Sequence, residues 1–284
     1  MRWTPGGSRG NLEDRRGQRV GGLGGARMGI GGLLVLLVLS FVFGRDFVSG
    51  VGVPETGTGS AGGEVAPARA SPEEEERVEF VNFVLNDVQA TWDTILPRLG
   101  TPYQDAKLVL FRDAVQSACG VAPAESGPFY CPLDQKVYLD LSFFEELDQR
   151  FGAPGDFAQA YVIAHELGHH VQQLTGVAGR VRQLQEARPG QANALSVRLE
   201  LQADCYAGVW GHTTSQRRLL EQGDVEEGLN AASAIGDDRL MRQAGGAVQP
   251  ESFTHGSSAQ RVGWFRRGME SGDPQTCDTF ASDR

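Results

Sequence analysis

The sequence has few lysines and an excess of acidic side chains. Among 26 basic residues, lysine occurs only at Lys107 and Lys136, which we attribute to genomic composition. Aspartate and glutamate together number 36, and the formal net charge is −10 at pH 7. Because proteins that bind nucleic acids usually present basic surfaces, this balance argues against nucleic acid as the main partner.

Cysteine is also scarce, and its spacing argues against one common class of zinc site. The cysteines are Cys119, Cys131, Cys205 and Cys277, and no Cys-x-x-Cys pair occurs, so a zinc–thiolate centre is disfavoured. An even number of cysteines fits an oxidising compartment. Cys119 and Cys131 flank a short turn-rich loop and are expected to pair, which would leave Cys205 to pair with Cys277. Free buried thiols are the alternative.

A long apolar and uncharged run covers residues 28–44. Its 17 residues lie at the lower limit of the roughly 17–25 that a membrane-spanning helix needs. No clear Ala-x-Ala site follows the run, so an uncleaved transmembrane anchor is favoured over a cleaved signal peptide. Before it, six arginines against Glu13 and Asp14 give a net charge of +4. This predicts that residues 1–27 form a cytoplasmic basic tail and that the rest of the chain lies outside the cytoplasm.

The segment after the apolar run is rich in Gly, Ala, Ser, Pro and Thr. It has no apolar period, so residues 45–70 are predicted to be a flexible linker. The folded domain is expected to occupy residues 71–284. Ser71 suits a helix N-cap, Pro72 suits the first helical position, and the acidic residues that follow favour the positive end of a helix dipole.

Periodicity in the remaining chain predicts a small sheet followed by helices. Strands are predicted at Lys107–Arg112 and Lys136–Leu141. Helices are predicted from residue 72 onward and near residues 142–151, 156–174, 193–214, 224–243 and 258–271. No internal repeat is present. The order of elements therefore predicts an α+β domain.

The most specific motif is His165-Glu166-Leu167-Gly168-His169, a His-Glu-x-x-His pattern in a predicted helix. Residues four apart share a helix face, so His165 and His169 could offer two imidazole nitrogens to one metal ion. Glu166 would then stand beside the metal, where it could take a proton from water. This combination is typical of zinc hydrolases.

A pattern this short also occurs by chance, and the alternative is a helix with two ordinary histidines. Three of the five histidines fall within residues 165–170, and residues 157–164 are apolar enough for a buried helix. Asp156, after Gly155, is a plausible N-cap for that helix. Because buried polar groups need partners, and a metal would supply them, this context favours the metal site.

A catalytic zinc needs a third protein ligand and an open position for water. Glu200 and Asp204 are four residues apart among apolar neighbours, so both carboxylates are expected on one buried helix face. Two buried carboxylates repel each other unless a cation lies near. We therefore predict that Glu200 binds the metal and that Asp204 accepts the free ring N–H of a ligand histidine. An exposed acidic pair on an amphipathic helix is the alternative.

Several motifs in one order resemble the putative neutral zinc metallopeptidase family of bacteria. They are Ala160–Gln172, Gly127–Pro132, Glu200–Cys205, Ile235–Asp238 and Thr254–Ser258. The resemblance covers about residues 73–280. It implies a zincin-like domain of the gluzincin type that holds one Zn²⁺, with a glutamate on a later helix as third ligand and a membrane anchor before the domain. The resemblance thus implies that Glu200 is that glutamate in this sequence.

Thr254-His255-Gly256 is a further candidate for the active site. In other gluzincins, including relatives of the prenyl-protein protease, a Thr-His-Pro stretch supplies a histidine, and Gly256 stands here in place of the proline. We predict that His255 stabilises the oxyanion that forms when water attacks a carbonyl. The alternative is an ordinary histidine at a helix entry, before a cap at Ser257 and Ser258.

The adjacent Asp237 and Asp238 allow two interpretations. They could hold a second metal ion, but ion pairs with Arg239 or Arg242 are the simpler interpretation. Neither aspartate is therefore assigned to the active site from the sequence.

Together these features predict a membrane-anchored zinc metalloendopeptidase that acts on a protein or peptide substrate. Glu166 would be the general base and His255 an oxyanion donor. The strand at Lys136–Leu141 is expected to be the sheet edge that aligns an extended substrate. Two alternatives stay open, a zinc hydrolase that cleaves cell-wall amides and an inactive zinc-binding scaffold of the envelope. The intact Glu166 argues against the scaffold.

Overall fold

The computed structural model describes residues 1–18 and 71–281. The apolar run at residues 28–44 and the linker predicted at residues 45–70 lie outside this part of the chain. Among the described residues, no helix combines the length and the apolar character that a membrane crossing requires. The anchor and its orientation therefore stay predictions from the sequence.

A mixed four-stranded sheet contains β1 (Leu12–Asp14), β2 (Lys107–Phe111), β6 (Lys136–Asp140) and β5 (Phe129–Cys131), in that spatial order. β1, β2 and β6 run parallel, whereas β5 is antiparallel to β6. β3 (Ala114–Ser117) and β4 (Gly120–Pro123) form an antiparallel hairpin. The prediction that Lys136–Leu141 forms a sheet edge is wrong, because β5 covers that side. β5 has three residues in a turn-rich stretch, too few to show a strand period.

Helices make up most of the remaining domain. They are α1 (Pro72–Ile95), α2 (Ser142–Gln149), α3 (Asp156–Leu174), α4 (Val177–Ala187), α5 (Ala192–Gln216), α6 (Asp224–Ala234), α7 (Asp237–Gln243) and α8 (Ser258–Ser271). The α+β prediction is confirmed. The sequence did not predict α4, and the helix predicted at 224–243 is two helices. The chain turns between them at Ile235–Gly236, where glycine is a poor helix former.

Local capping explains where these helices begin. The Ser71 hydroxyl accepts the N–H of Glu74 at the start of α1, as predicted, and Ser257 forms a capping box with Gln260 at the start of α8. α3 differs from the prediction because Asp156 is its first helical residue and not its cap. The cap is supplied from α6, where the Glu227 carboxylate accepts the N–H of Phe157 at 3.1 Å.

Residues 1–18 form one compact unit with the described residues from 71 onward. β1 extends the sheet beside β2, and the ring of Trp3 packs edge-on against Phe80 at 5.4 Å between centroids. The Arg16 guanidinium pairs with the carboxylates of Glu74 and Glu75 at 2.8 and 2.7 Å. This packing differs from the predicted separate tail, because residues that were counted as tail charges are paired with the domain.

Both predicted disulfides are present. Cys119–Cys131 links the turn between β3 and β4 to β5, and Cys205–Cys277 links α5 to the segment that follows α8. The described part of the chain contains no free cysteine. The second bond closes the longer loop and fixes the C-terminal segment against the helix that carries Glu200.

Candidate metal site

Two neighbouring helices bring the predicted ligands together. α3 carries His165 and His169 one turn apart, and α5 carries Glu200. The Nε2 atom of His165 lies 3.1 Å from Oε2 of Glu200, and Nε2 of His169 lies 3.4 Å from Oε1 of Glu200. Ligand atoms of all three residues lie within 4.8 Å of one another. The three side chains therefore surround one point between the helices.

The glycine of the motif explains how the two helices approach so closely. A Cβ atom at Gly168 would lie 3.0 Å from the carbonyl oxygen of Ala203 and 3.2 Å from its Cα. Any larger side chain at this position would push α5 away from α3. Gly168 thus sets the distance between the helix with the histidines and the helix with Glu200.

The donor set fits a catalytic zinc ion. Two imidazole nitrogens and a carboxylate are a known ligand set for such a site, with a fourth position left for water. Each ring presents Nε2 to Glu200 because its Nδ1 is held on the opposite side. Nδ1 of His165 lies 2.8 Å from Oδ1 of Asp204, and Nδ1 of His169 lies 2.9 Å from Oε1 of Gln172. Both rings therefore donate from Nδ1, which leaves the Nε2 lone pair for a metal.

The charges of the site favour a bound cation. Burial opposes protonation, but the carboxylates of Asp204 and Glu200 raise the pKa of His165 to about 10. Glu200 likewise raises the pKa of His169 against the effect of burial. Burial also disfavours the Glu200 carboxylate, yet the two histidines hold its pKa well below the usual range. Positive charge is thus stabilised between two rings and a carboxylate, where a divalent metal can replace the protons.

Glu166 lies beside these ligands and is 8% exposed. Its charge contributes to the raised pKa of His169, so the carboxylate is close to the ligand group. No residue in the described ranges donates a hydrogen bond to it. A carboxylate that is buried next to a metal site and is not engaged by other side chains can accept a proton from water.

Asp204 is fully buried behind His165 and accepts hydrogen bonds from three side chains. Besides the ring of His165, the Tyr161 hydroxyl donates to Oδ1 at 2.5 Å, and Arg261 donates to both oxygens at 2.9 Å. Burial would raise the pKa of Asp204, but the Arg261 guanidinium and His165 lower it. The structure thus places Asp204 beside the ring of His165, with its carboxylate facing Nδ1.

Sequence reasoning did not find Tyr161 or Arg261. Tyr161 stands in the apolar stretch before the motif and was counted as a core residue, whereas Arg261 lies in α8, 57 residues after Asp204. α8 reaches Asp204 because it packs against α5 at Gly208, where a Cβ atom would lie 2.1 Å from the carbonyl oxygen of Phe265. The one indication of Arg261 in the sequence was Asp204, since a buried carboxylate needs a cationic partner.

His255 lies on the loop before α8, near Glu200. A Cβ atom at Gly256 would lie 3.3 Å from the side chains of both Val197 and Leu201 of α5, which lie three residues before and one residue after Glu200. The His255 side chain is 43% exposed, so it lies at the solvent side of the site. Burial opposes the shift, but the hydrogen bond to Asp237 and the Glu200 charge raise the pKa of His255. The structure thus brings the third predicted histidine to the rim of the site.

Asp237 holds the loop that carries His255. Its Oδ2 accepts the backbone N–H groups of Thr254, His255 and Gly256 at 2.8, 2.7 and 3.0 Å, and Oδ1 faces Nδ1 of His255 at 3.1 Å. The ion pair with Arg239 or Arg242 that the sequence suggested is therefore wrong for Asp237, whose carboxylate binds this loop. It is correct for Asp238, which pairs with Arg242.

Comparison with known proteins adds the family. The family model described as "Putative neutral zinc metallopeptidase" matches residues 1–280. Uncharacterized protein YpfJ of Escherichia coli K12 is 49% identical over 290 residues, which cover 99% of each chain. Uncharacterized protein Rv2575 of Mycobacterium tuberculosis H37Rv is 45% identical over 208 residues, 69% of this chain and 68% of the relative. No solved structure gives a significant match. The chain belongs to the putative neutral zinc metallopeptidase family.

Proposed function

We propose that this protein is a zinc metalloendopeptidase that hydrolyses peptide bonds at the site of His165, His169 and Glu200. The observation that supports the proposal most is the convergence of these ligand atoms within 4.8 Å, beside the carboxylate of Glu166. One zinc ion per domain would polarise the substrate carbonyl and make the attacking water more acidic.

Glu166 is the general base in this proposal. Its carboxylate takes a proton from the water as the water oxygen attacks the peptide carbonyl carbon, and it returns that proton to the amine nitrogen as the C–N bond breaks. His255 donates a hydrogen bond to the developing oxyanion, and its raised pKa favours the protonated ring that such a donor requires. Asp204 and Gln172 hold the two ligand rings in orientation.

The edge that aligns the substrate is β5 in this proposal, in place of the strand predicted from the sequence. β5 ends the sheet next to β6 and can offer backbone groups to an extended peptide. The Tyr130 hydroxyl of β5 lies 3.0 Å from Nδ1 of His170, the neighbour of His169. This contact fixes the edge strand relative to the helix that carries the ligands.

A location outside the cytoplasm is also part of the proposal. The two disulfides support it, since such bonds persist mainly in oxidising compartments. The contacts of residues 1–18 with the domain require both to lie on the same side of a membrane. A single crossing between residues 18 and 71 would separate them, so we place the amino-terminal segment outside the cytoplasm together with the domain.

Hydrolysis of casein and of purified peptidoglycan, each with and without a chelator, tests the proposal. We expect chelator-sensitive cleavage of casein, whereas cleavage of peptidoglycan alone would favour the cell-wall amidase. Glu166→Gln should keep zinc but lose roughly 10²–10⁴-fold in rate, because the amide cannot act as a base. Glu186→Gln, at an exposed position of α4, is the matched control. Zinc binding without any hydrolysis would favour the inactive scaffold.

A further inference from the structure

A chain of hydrogen bonds runs from His169 to the Cys205–Cys277 disulfide. Nδ1 of His169 donates to Oε1 of Gln172 at 2.9 Å. Nε2 of Gln172 donates to Oε1 of Gln202 at 3.1 Å, and Nε2 of Gln202 donates to the carbonyl oxygen of Cys277 at 3.0 Å. The chain thus crosses from α3 over α5 to the C-terminal segment.

Every amide in this chain has one possible orientation. The carbonyl of Cys277 can only accept, so Gln202 must turn its NH₂ group toward it and its oxygen toward Gln172. Gln172 must then donate to Gln202, as it also does to the carbonyl oxygen of Leu199 at 2.7 Å. Its oxygen is left for the ring of His169. The acceptor at Cys277 therefore fixes, step by step, which nitrogen of His169 carries the proton.

Burial makes the members of this chain depend on one another. Gln172 and Cys277 are 0% exposed and Gln202 is 4% exposed. Water therefore has little access to replace a lost partner, and a buried amide without one is costly. If one link is removed, the next side chain is expected to reorient, and the change reaches the histidine.

The disulfide puts the last acceptor in place. Gln202 and Cys205 are three residues apart on α5 and share a helix face. The bond from Cys205 to Cys277 therefore holds the Cys277 backbone against the turn of α5 that carries Gln202. The Thr279 hydroxyl, which donates to the carbonyl oxygen of Arg198 at 2.8 Å, attaches the same segment to the preceding part of α5.

We propose that Gln172 and Gln202 are positioning residues for His169 and that the Cys205–Cys277 bond anchors them. The inference rests on the proposed zinc site. Gln172 keeps the ring turned so that Nε2 faces Glu200, Gln202 keeps the amide of Gln172 in orientation, and the disulfide keeps the acceptor for Gln202 in place. Zinc affinity thus depends on a covalent bond that contacts no ligand.

Zinc affinity of the purified full chain, measured by competition with a chromogenic chelator, tests the first two links. Gln172→Leu should weaken zinc binding about 10–100-fold, as the loss of a partner behind a ligand histidine commonly does. Gln172→Glu should weaken zinc binding less than Gln172→Leu, because one carboxylate oxygen still accepts the N–H of His169 although the donors to Leu199 and Gln202 are lost. Gln202→Leu should weaken binding less than Gln172→Leu. Gln185→Leu, which removes a half-buried glutamine bonded to Ser196, should change nothing.

The disulfide is tested by a double-mutant cycle. Cys205→Ser with Cys277→Ser should weaken zinc binding, and adding these changes to Gln202→Leu should weaken it no further, because both act through the same link. Circular dichroism shows which variants are folded. If Gln202→Leu does not fold, Gln202→Met, which is closer in shape to glutamine, takes its place.

Two results would overturn the inference. Wild-type zinc affinity in folded Gln172→Leu or Gln202→Leu would show that the amides do not position the ring. If the fold-changes in zinc affinity from the disulfide and from Gln202→Leu multiply, the two act independently, and the disulfide does not act through Gln202. A wild-type protein that binds no zinc would instead refute the proposed function together with this inference.

Discussion

Arg261 and Asp204 form a buried bidentate ion pair behind the candidate metal site. Nε of Arg261 lies 2.9 Å from Oδ2 of Asp204, and Nη2 lies 2.9 Å from Oδ1. The two residues are 2% and 0% exposed. The same Oδ1 atom faces Nδ1 of His165, so the guanidinium keeps charged the carboxylate that orients a ligand ring.

Removal of this guanidinium should destabilise the domain. Arg261→Met leaves a buried aspartate without its cation, and loss of one partner of a buried pair costs about 3–5 kcal/mol. Arg261→Lys keeps the charge but not the bidentate contact, so its free energy of unfolding should fall less than that of Arg261→Met. Urea unfolding of the zinc-free protein measures the free energy of unfolding of both variants, with Arg266→Met at an exposed position of α8 as the control. Equal stability of Arg261→Met and the wild type would contradict the assigned role.

Zinc binding should release more than one proton per ion at pH 7. The pKa of His165, about 10, keeps that ring protonated at pH 7 in the zinc-free protein. Burial opposes protonation of His169, but the Glu200 carboxylate raises its pKa above that of an ordinary histidine, so both rings release protons when they bind the metal. Zinc affinity should therefore rise with pH through neutrality. Calorimetry in two buffers of different ionisation enthalpy counts the protons. Two ordinary histidines, with pKa values near 6.5, would release roughly half a proton in total, and that result would contradict the prediction.

Asp237 should affect turnover through His255. His255→Ala should lower kcat by about 10²–10³-fold with little change in zinc content, as loss of one oxyanion donor does. Asp237→Asn should lower kcat in the same direction but less, because the amide oxygen still accepts the loop N–H groups. When Asp237→Asn is combined with His255→Ala, kcat should fall hardly further than in His255→Ala alone. Loss of zinc from His255→Ala would instead make this residue a ligand, and a full additional loss in the double variant would separate Asp237 from His255.

The amino-terminal segment and the domain should lie on the same side of the membrane. All four cysteines are in disulfides, so one added cysteine is the only reactive thiol. Ser8→Cys and Gln183→Cys place that thiol at exposed positions of the segment and of α4. A membrane-impermeant maleimide should label both in intact cells. Labelling of Gln183→Cys alone would restore the cytoplasmic tail predicted from the sequence.

The sequence by itself determined the features that depend on neighbours within a few residues. The bounds of α3 and α8 agree with the prediction because the apolar period of α3 and the capping box of α8 lie in the segments themselves. The cap of α3 is the exception, since Glu227 of α6 supplies it. The facing of His165 and His169 follows from helix geometry, and Glu200 and Asp204 share a face of α5 for the same reason. These positions could be assigned before any tertiary contact was known.

Tertiary structure alone decided which distant groups complete the site. Arg261 contacts Asp204 because α8 packs closely against α5, and Gln202 contacts Cys277 because a disulfide holds the C-terminal segment there. β1 pairs with β2, although the two strands are far apart along the chain. No period or spacing in the chain encodes these partners. The sequence shows that a buried carboxylate or amide must be satisfied, since an unpaired one is too costly. Which side chain satisfies it depends on how the helices pack, and only the folded chain specifies that.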